Sequence, residues 1–391
     1  MDLQFQTLSL SSPGTLLPPS AVDSLAFWNR KPSGPDGQCI LLGFNSAAGP
    51  ALDLAPSAST WHYNLSSDCD NVNLQVPWSR FALSDDGATA VAWVQGSAGN
   101  LTLFALEGQS GRLRWAKHVP CGTPEQCQYF LAYGLDISAD GRFVIYDEGV
   151  EGGTAPHLLH VLHAADGTPR CPPLQSPGAI EGRLSPTGDF ALTSLEDPGS
   201  GAPPTGAFAV WRWSPTASAY QRLPGNGSVP LADPAGHGWV LAQYAFSTDP
   251  ATGAPLLGLV WLDATLLGPS VVAMYAATAV GAGPLASAHT EPLPGSDFAN
   301  SGAVIDCAGS LCAAGLYTQK VGGPQPTLVV LDAHSPHAAF NYTTPGSVDS
   351  VTIARQPGSS SVYYVLATGC TSVGVCTQPG GDLVGLKLTV A

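Results

Sequence analysis

Three short segments decide the fold of this 391-residue chain. They read Leu83-Ser-Asp-Asp-Gly87, Ile137-Ser-Ala-Asp-Gly141 and Leu184-Ser-Pro-Thr-Gly188, and they recur about once every fifty residues. Each is followed by a run rich in β-branched or aromatic residues, which is typical of a β-strand. Asp and Gly at these positions are typical of a tight turn. The pattern therefore predicts a repeating unit of short antiparallel strands joined by tight turns.

The length of the repeat predicts the architecture. Weaker echoes of the turn continue along the chain at a mean spacing of ~54 residues, which gives about seven units. A repeat of four-strand size is typical of radial repetition, so we predict an all-β, seven-bladed β-propeller that occupies residues 1–391 as a single domain. We assign a closing strand and linker to residues 1–20, and blades to roughly 21–77, 78–130, 131–178, 179–232, 233–293, 294–345 and 346–391.

The strands can be placed most easily in the second and third blades. The second blade is predicted to contain Trp78–Ser84, Ala88–Gly96, Asn100–Leu106 and Arg112–Val119, and the third Leu131–Ser138, Arg142–Asp147, His157–His163 and Thr168–Leu174. The last blade offers only three good strands. We expect the alternating segment Asp2–Leu10 to supply its fourth strand and to close the ring, which would remove an open sheet edge.

A family resemblance supports this architecture. The segment Leu103-Phe-Ala-Leu-Glu-Gly-Gln-Ser-Gly-Arg-Leu-Arg-Trp115 resembles the repeat of quinoprotein-type propellers, in which a Thr-Gly-Lys-like turn precedes a tryptophan on the outer strand. Val161–Gly167 and Val329–Ala333 resemble it in part, and the inner turns are similar to those of WD-repeat-like and TolB-like propellers. The resemblance implies the fold. Only the second blade has the docking tryptophan, so no cofactor is carried over to this chain.

The charge balance excludes several classes of partner. The chain has 14 Lys and Arg against 29 Asp and Glu, for a net charge of −15. Such a surface repels phosphate backbones and anionic lipids, so we expect no nucleic-acid partner. The uncharged stretch from Ala264 to Ala288 is interrupted by Gly268-Pro269 and by Gly281–Pro284. It therefore favours two buried strands of one blade over a membrane segment.

The nine cysteines predict local disulfides. Their close pairs are five or six residues apart, which does not fit the spacing of a metal site. We expect no metal ion. The predicted bonds are Cys39–Cys69, Cys121–Cys127, Cys307–Cys312 and Cys370–Cys376, and they leave Cys171 without a partner. Bonds of this kind suit an oxidising compartment. The alternative is that all nine cysteines are reduced and buried.

The asparagines favour the same compartment. Four of the nine lie in N-x-[ST] acceptor motifs, at Asn64, Asn100, Asn226 and Asn341, where chance predicts about one or two. We therefore expect N-linked glycans and an extracellular or cell-surface location. The first residues, Met1–Gln6, lack the basic and apolar regions of a signal peptide. Secretion then requires the sequence to be a mature or truncated form.

Three histidines are the strongest candidate for a metal site. The strand predicted for them argues against such a site. His157, His160 and His163 would share one face of a helix. On a strand, His160 points to the opposite face from the other two, so three ligands cannot converge.

Clustered carboxylates are the other candidates for catalysis. Asp85 and Asp86 lie in a turn, where Asp commonly caps the backbone. Asp147 clusters with Glu148 and Glu151, and these two glutamates lie in a Gly-rich loop and are expected to be solvated. The sequence contains no serine-hydrolase elbow, phosphate-binding glycine loop or EF-hand ladder.

Together these features favour a non-catalytic extracellular or cell-surface glycoprotein without a cofactor. Its propeller would act as a module for protein interaction or self-assembly, and one specific form is the repeating subunit of a surface layer or extracellular filament. Membrane insertion is disfavoured. Two alternatives stay open: a propeller enzyme, quinoprotein-like or glycan-active, with its site at the channel mouth, and an intracellular propeller scaffold with reduced cysteines.

Overall fold

The structure of the chain is a computed structural model, and it is built almost entirely of β-strands. It describes residues 24–30, 38–44, 59–66, 81–95, 101–119, 130–131, 135–150, 157–176, 182–194, 208–223, 239–263, 270–290, 300–318, 328–336, 338–343, 347–355, 359, 361–370 and 381–389. Within these ranges the helical structure is a 3₁₀ turn at Val280–Ala282.

The strands follow one another along the chain as antiparallel sheets. Sheet 1 contains β1 (Ser24–Arg30), β2 (Gln38–Phe44) and β3 (Trp61–Ser66). Sheet 2 contains β4 (Phe81–Leu83), β5 (Thr89–Gln95), β6 (Leu101–Glu107) and β7 (Leu113–Val119). Sheet 3 contains β8 (Phe130–Leu131), β9 (Leu135–Ile137), β10 (Phe143–Val150), β11 (His157–His163) and β12 (Leu174–Ser176). Sheet 4 contains β13 (Gly182–Leu184), β14 (Phe190–Ser194), β15 (Phe208–Ser214) and β16 (Ala219–Arg222).

The second half of the chain continues the same order. Sheet 5 contains β17 (Trp239–Thr248), β18 (Pro255–Asp263), β19 (Ser270–Ala276) and β20 (Ala286–Thr290). Sheet 6 contains β21 (Asn300–Ala308), β22 (Leu311–Thr318), β23 (Leu328–Asp332) and β24 (Ala338–Tyr342). Sheet 7 contains β25 (Ser347–Arg355), β26 (Val362–Cys370) and β27 (Gly381–Thr389).

Burial explains why the middle strands lack the alternating pattern of a half-exposed strand. In β18, every residue after Pro255 is buried, and all of β23 is buried. A strand covered on both faces reads as a continuous apolar run. The last strand of sheet 2, β7, is mostly exposed. Each of these sheets therefore packs on its neighbours through its middle strands.

The chain forms two compact units, and sheets pack face to face within each. The first unit is Met1–Thr193 with Arg212–Gln221, and the second is Ser194–Trp211 with Arg222–Ala391. In the first unit one apolar cluster joins sheets 1 and 2, and another joins sheets 2 and 3. In the second unit the corresponding clusters join sheets 5 and 6, and sheets 6 and 7.

Most of the strands placed from sequence are observed, and two are corrected. The four strands predicted from Trp78 to Val119 are observed as β4–β7. The single strand predicted at Leu131–Ser138 is wrong, because β8 and β9 are separate short strands that both pair with β10. The strand predicted at Thr168–Leu174 is also wrong, since β12 begins at Leu174. Pro169, Pro172 and Pro173 precede it and cannot donate ladder hydrogen bonds.

Two further expectations concern the proposed closing strand and a possible membrane segment. The proposed closing strand Asp2–Leu10 lies outside the described residues. The uncharged stretch Ala264–Ala288 contains β19 and the beginning of β20. Among the helices that the structure describes, none has the length and apolar character to cross a membrane.

Candidate functional site

The serine of each decisive segment holds its turn together. The Oγ atoms of Ser84, Ser138 and Ser185 accept hydrogen bonds of 2.9–3.0 Å from backbone N–H groups five residues further on. The closing glycines of these turns have φ near 65–69°, a conformation that favours glycine. In the first two turns the serine also donates to a carboxylate, that of Asp86 at 2.6 Å or Asp140 at 2.7 Å. The spacing of the motif is therefore a requirement of the turn.

Hydrogen bonds link these turns from one sheet to the next. The N–H of Asp85 donates to the carbonyl of Ala139 at 2.9 Å, and the N–H of Asp140 donates to that of Pro186 at 3.1 Å. In the second unit, Ser247 Oγ donates to the carbonyl of Gly309 at 2.9 Å. The turns of sheets 2, 3 and 4 thus form a continuous hydrogen-bonded row.

Asp136 lies beside this row and joins two sheets. It stands in β9, and its Oδ2 accepts a 2.9 Å hydrogen bond from the N–H of Leu184 in β13. Its Oδ1 lies 3.8 Å from the guanidinium of Arg183. Desolvation raises the pKa of Asp136, while Arg183 and the Leu184 N–H oppose that rise. The carboxylate therefore replaces a missing strand neighbour.

Asp85 faces the same group of carboxylates from sheet 2. Asp85 is exposed at the tip of the turn. Partial desolvation of its carboxyl, together with repulsion from Asp136, Asp86 and Asp140, raises the pKa of Asp85 to about 6. Asp85 consequently titrates in a mildly acidic range.

The second unit repeats the arrangement of Asp136. Asp306 in β21 accepts a 2.9 Å hydrogen bond through Oδ2 from the N–H of Ile353 in β25. The same side chain accepts from the N–H of Cys307 through Oδ1. Because the same relation recurs between strands of neighbouring sheets in both units, it belongs to the fold and does not indicate a catalytic acid.

Trp61 and Trp115 each dock onto the sheet that follows their own. Trp61 Nε1 donates to the carbonyl of Gly108 at 2.6 Å, and Trp115 Nε1 donates to that of Ala164 at 2.9 Å. A Cβ on Gly111 would lie 2.6 Å from the Trp61 ring, and one on Gly167 would lie 2.9 Å from the Trp115 ring. The prediction that only the second blade has a docking tryptophan is therefore wrong. Trp61 was missed because residues 51–60, which precede it, lack the Gln-Ser-Gly-Arg turn that precedes Trp115.

An arginine joins sheet 3 to sheet 4. The guanidinium carbon of Arg170 lies 3.6 Å from the ring centroid of Phe143 and 4.0 Å from that of Trp213. Nη1 donates to the carbonyl of Gly188 at 2.6 Å and to the hydroxyl of Tyr220 at 2.7 Å. Only 6% of the Arg170 side chain is exposed. Arg170 thus serves as a buried, stacked cation that holds two sheets together.

The structure describes two of the four acceptor asparagines. Asn64 lies exposed on β3, and Asn341 lies exposed on β24. These are the last described strands of sheets 1 and 6. Asn100 and Asn226 lie outside the described residues.

One predicted disulfide is present. Cys307 and Cys312 are bonded across the hairpin of β21 and β22, and Cys171 is a buried free cysteine. Cys39 and Cys370 fall in β2 and β26, but their side chains are outside the description. Their expected partners Cys69 and Cys376 lie outside the described residues, as do Cys121 and Cys127.

The histidine candidates lie on a strand, as expected. In β11, His160 stacks on Tyr146 with ring centroids 4.8 Å apart, and His163 packs on Phe143. Asp147 is buried in β10, which also contains Glu148, while Glu151 lies outside the described residues. Across the described part of the chain, the His, Cys, Asp and Glu side chains form no group of three or more suited to a metal ion.

The succession of antiparallel meanders, each packed face to face on the next within its unit, defines a β-propeller fold. No protein-family model matches the sequence, and no curated protein matches it.

Several solved structures are similar to the chain. The β-propeller domain of the Trilobed protease from Pyrococcus furiosus has 9% identity and a TM-score of 0.47, with 99% of each chain covered. A structure from a study of two prolyl endopeptidases has 12% identity and a TM-score of 0.48, covering 98% of this chain. The chain spans about half the length of that protein, since 50% of it is covered. TolB from Acinetobacter baumannii has 11% identity and a TM-score of 0.36, with 83% of this chain and 64% of that one covered. No activity of these proteins is carried over to this chain.

Proposed function

We propose that the chain is a non-catalytic extracellular glycoprotein whose propeller serves as a module for protein interaction or assembly. The observation that carries the proposal is the position of the two described acceptor asparagines. Asn64 and Asn341 are both exposed on the last described strands of their sheets, where a glycan would project into solvent. The Cys307–Cys312 bond suits the same oxidising surroundings.

The roles of the carboxylates also support a non-catalytic protein. Asp86 and Asp140 cap their turns, and Asp136 and Asp306 bind the backbone of a neighbouring strand. These side chains already have structural partners. A glycoside-cleaving site instead needs two carboxylates that face a substrate at a set separation.

In this proposal the seven sheets are the blades of one closed ring. Sheet 7 contains three described strands and ends at β27, whereas sheets 2, 4, 5 and 6 contain four each. The segment Asp2–Leu10 alternates in the manner of a strand and would pair with the edge of β27. A pairing of this kind would protect an edge that otherwise favours aggregation.

The glycoprotein part is tested by peptide mass spectrometry of natively produced, unreduced protein. We expect hexose-bearing peptides at Asn64 and Asn341 that disappear in the variants Asn64→Gln and Asn341→Gln. Asn29 and Asn300, which lack the acceptor motif, serve as internal controls. Unmodified asparagines together with free Cys307 and Cys312 thiols would overturn the proposal and favour an intracellular scaffold.

Ring closure is tested separately by deleting residues 2–10. We expect a lower unfolding midpoint, which recovers when a synthetic peptide of residues 1–12 is added in excess. A scrambled peptide of the same composition is the control. A midpoint that is unchanged by the deletion would contradict the closing strand.

The assembly form of the proposal makes the chain a repeating subunit of a surface layer or filament. Light scattering of the purified glycoprotein over a range of concentrations measures this directly. We expect the mean mass to grow with concentration beyond a dimer. A constant monomer mass at every concentration would limit the module to binding other proteins.

A further inference from the structure

The Cys307–Cys312 disulfide packs against bare backbone of the neighbouring sheet. The two cysteines are register partners of β21 and β22, and Cys312 is fully buried. Gly258 of β18 lies opposite them. A Cβ on Gly258 would lie 2.6 Å from Cys312 Sγ, 2.7 Å from Cys307 Sγ and 2.9 Å from Ile305 Cδ1. Both sulfur atoms therefore occupy space that any other residue at position 258 would fill.

The fit at Gly258 depends on the bond between the sulfurs. Bonded sulfurs are about 2.0 Å apart, whereas atoms that are not bonded stay roughly 3.5–4 Å apart. The reduced pair therefore needs extra room. Gly258 cannot easily withdraw, because it pairs with Ala245 on one side and Met274 on the other in the middle of sheet 5. Packed interiors yield little to such an expansion.

We propose that the Cys307–Cys312 bond is a redox-dependent lock between sheets 5 and 6. A dithiol reductant would transfer two electrons and two protons. The S–S bond breaks, two thiols form, and the dithiol becomes a disulfide. The separated thiols then push on Gly258 and loosen the apolar cluster shared by the two sheets. The inference deepens the proposed extracellular role, on which it rests for the oxidising compartment.

A double-mutant cycle distinguishes this lock from a disulfide that only joins the two strands of its own hairpin. The Gly258→Ala substitution should lower the unfolding midpoint by about 3–6 °C in the oxidised protein, because the new methyl group meets the sulfurs. In the Cys307→Ala/Cys312→Ala background the same substitution should cost much less and approach the loss of a control, because only the flexible end of the Ile305 side chain still meets the new methyl group. A suitable control is Gly385→Ala in β27, where a Cβ would meet only Leu366, at 3.7 Å. Equal losses in both backgrounds would overturn the lock.

Hydrogen exchange of the full-length protein provides a second test that needs no folded variant of Gly258. On treatment with dithiothreitol, amides of β18 should exchange at least tenfold faster, although that strand contains no cysteine. The Cys307→Ala/Cys312→Ala protein is the control, because its β18 amides should not respond. Faster exchange confined to residues 307–312 would refute the proposal.

The two proposals fail in different experiments. If Asn64 and Asn341 carry no glycan but the coupling to Gly258 is observed, the extracellular role fails and the lock stands. If glycans are present and the coupling is absent, the lock alone fails.

Discussion

Asp136 accepts a hydrogen bond from the backbone N–H of Leu184 at 2.9 Å, across the boundary between two sheets. The strands that contain Leu184 and Ile353 lie at sheet edges and have a strand partner on one side only, so their N–H groups on the other side need another acceptor. Asp306 supplies the same contact to Ile353 in the second unit. A carboxylate of one repeat thus satisfies the backbone of the next.

Replacement of Asp136 tests the strength of this contact. In Asp136→Ala the Leu184 N–H loses its acceptor and Arg183 loses its counter-ion, so we expect a loss of about 1–3 kcal/mol in the free energy of unfolding. Urea denaturation at pH 7 measures it. Asp306→Ala should give a similar loss, and a loss below about 0.5 kcal/mol in both variants would show that water replaces the carboxylate.

The pH dependence of stability should report on Asp85. Its pKa is raised from the ordinary 3.8 to about 6 in the folded chain, so its ionised form is disfavoured by folding. Its contribution is most favourable below pH 4 and declines as the pH rises through 6. Asp85→Asn should remove this decline, and the gain at pH 7.5 should stay below about 1 kcal/mol because water screens an exposed group. Unfolding midpoints of both proteins from pH 4 to 8 provide the comparison, and parallel curves would contradict the assignment.

The docking tryptophans allow a prediction about a single hydrogen bond. Trp115→Phe keeps most of the apolar contact with Gly167 but leaves the Ala164 carbonyl without its indole donor. We expect a loss of about 1 kcal/mol, and a similar loss for Trp61→Phe. Trp115→Ala should cost about 3–5 kcal/mol. Chemical denaturation of the three variants measures the series. If the Phe and Ala variants were equally unstable, the hydrogen bond would dominate the contact.

Arg170 should resist replacement by lysine. The Arg170→Lys substitution keeps the positive charge, but an ammonium group cannot stack between Phe143 and Trp213 as the planar guanidinium does. We expect a loss of about 2 kcal/mol in the free energy of unfolding. The matched control is Arg142→Lys, because the Arg142 side chain is 60% exposed and its replacement should change stability by less than about 0.5 kcal/mol. Equal effects of the two substitutions would refute a special role for Arg170.

Local features of the fold could be predicted from sequence, whereas contacts between repeats could not. The Ser84 and Ser138 turns are encoded within a few residues, so their patterns placed the strands that follow them, β5 and β10, well. The role of Trp61 depends on Gly108, and that of Asp136 depends on Leu184. Nothing local to either residue specifies the partner. An acidic residue between buried Leu135 and Ile137 was the available signal for a buried carboxylate.

The candidate site shows the same division. The exposed positions of Asn64 and Asn341 and the Cys307–Cys312 pair agree with motifs of a few residues. The contact of that pair with Gly258 required the structure, because it depends on how sheets 5 and 6 face each other. The strand at Thr168–Leu174 was misplaced for a local reason, since three prolines outweighed the apolar pattern.

The inter-sheet contacts span 47, 49, 48 and 47 residues for Trp61, Trp115, Asp136 and Asp306, and each points toward the C-terminus. This common direction sets an order of events on the ribosome. A newly made sheet remains incomplete until the next repeat emerges, and each emerging repeat then locks its predecessor. Synthesis from the N-terminus would therefore complete the sheets in order, each one when the repeat after it has emerged.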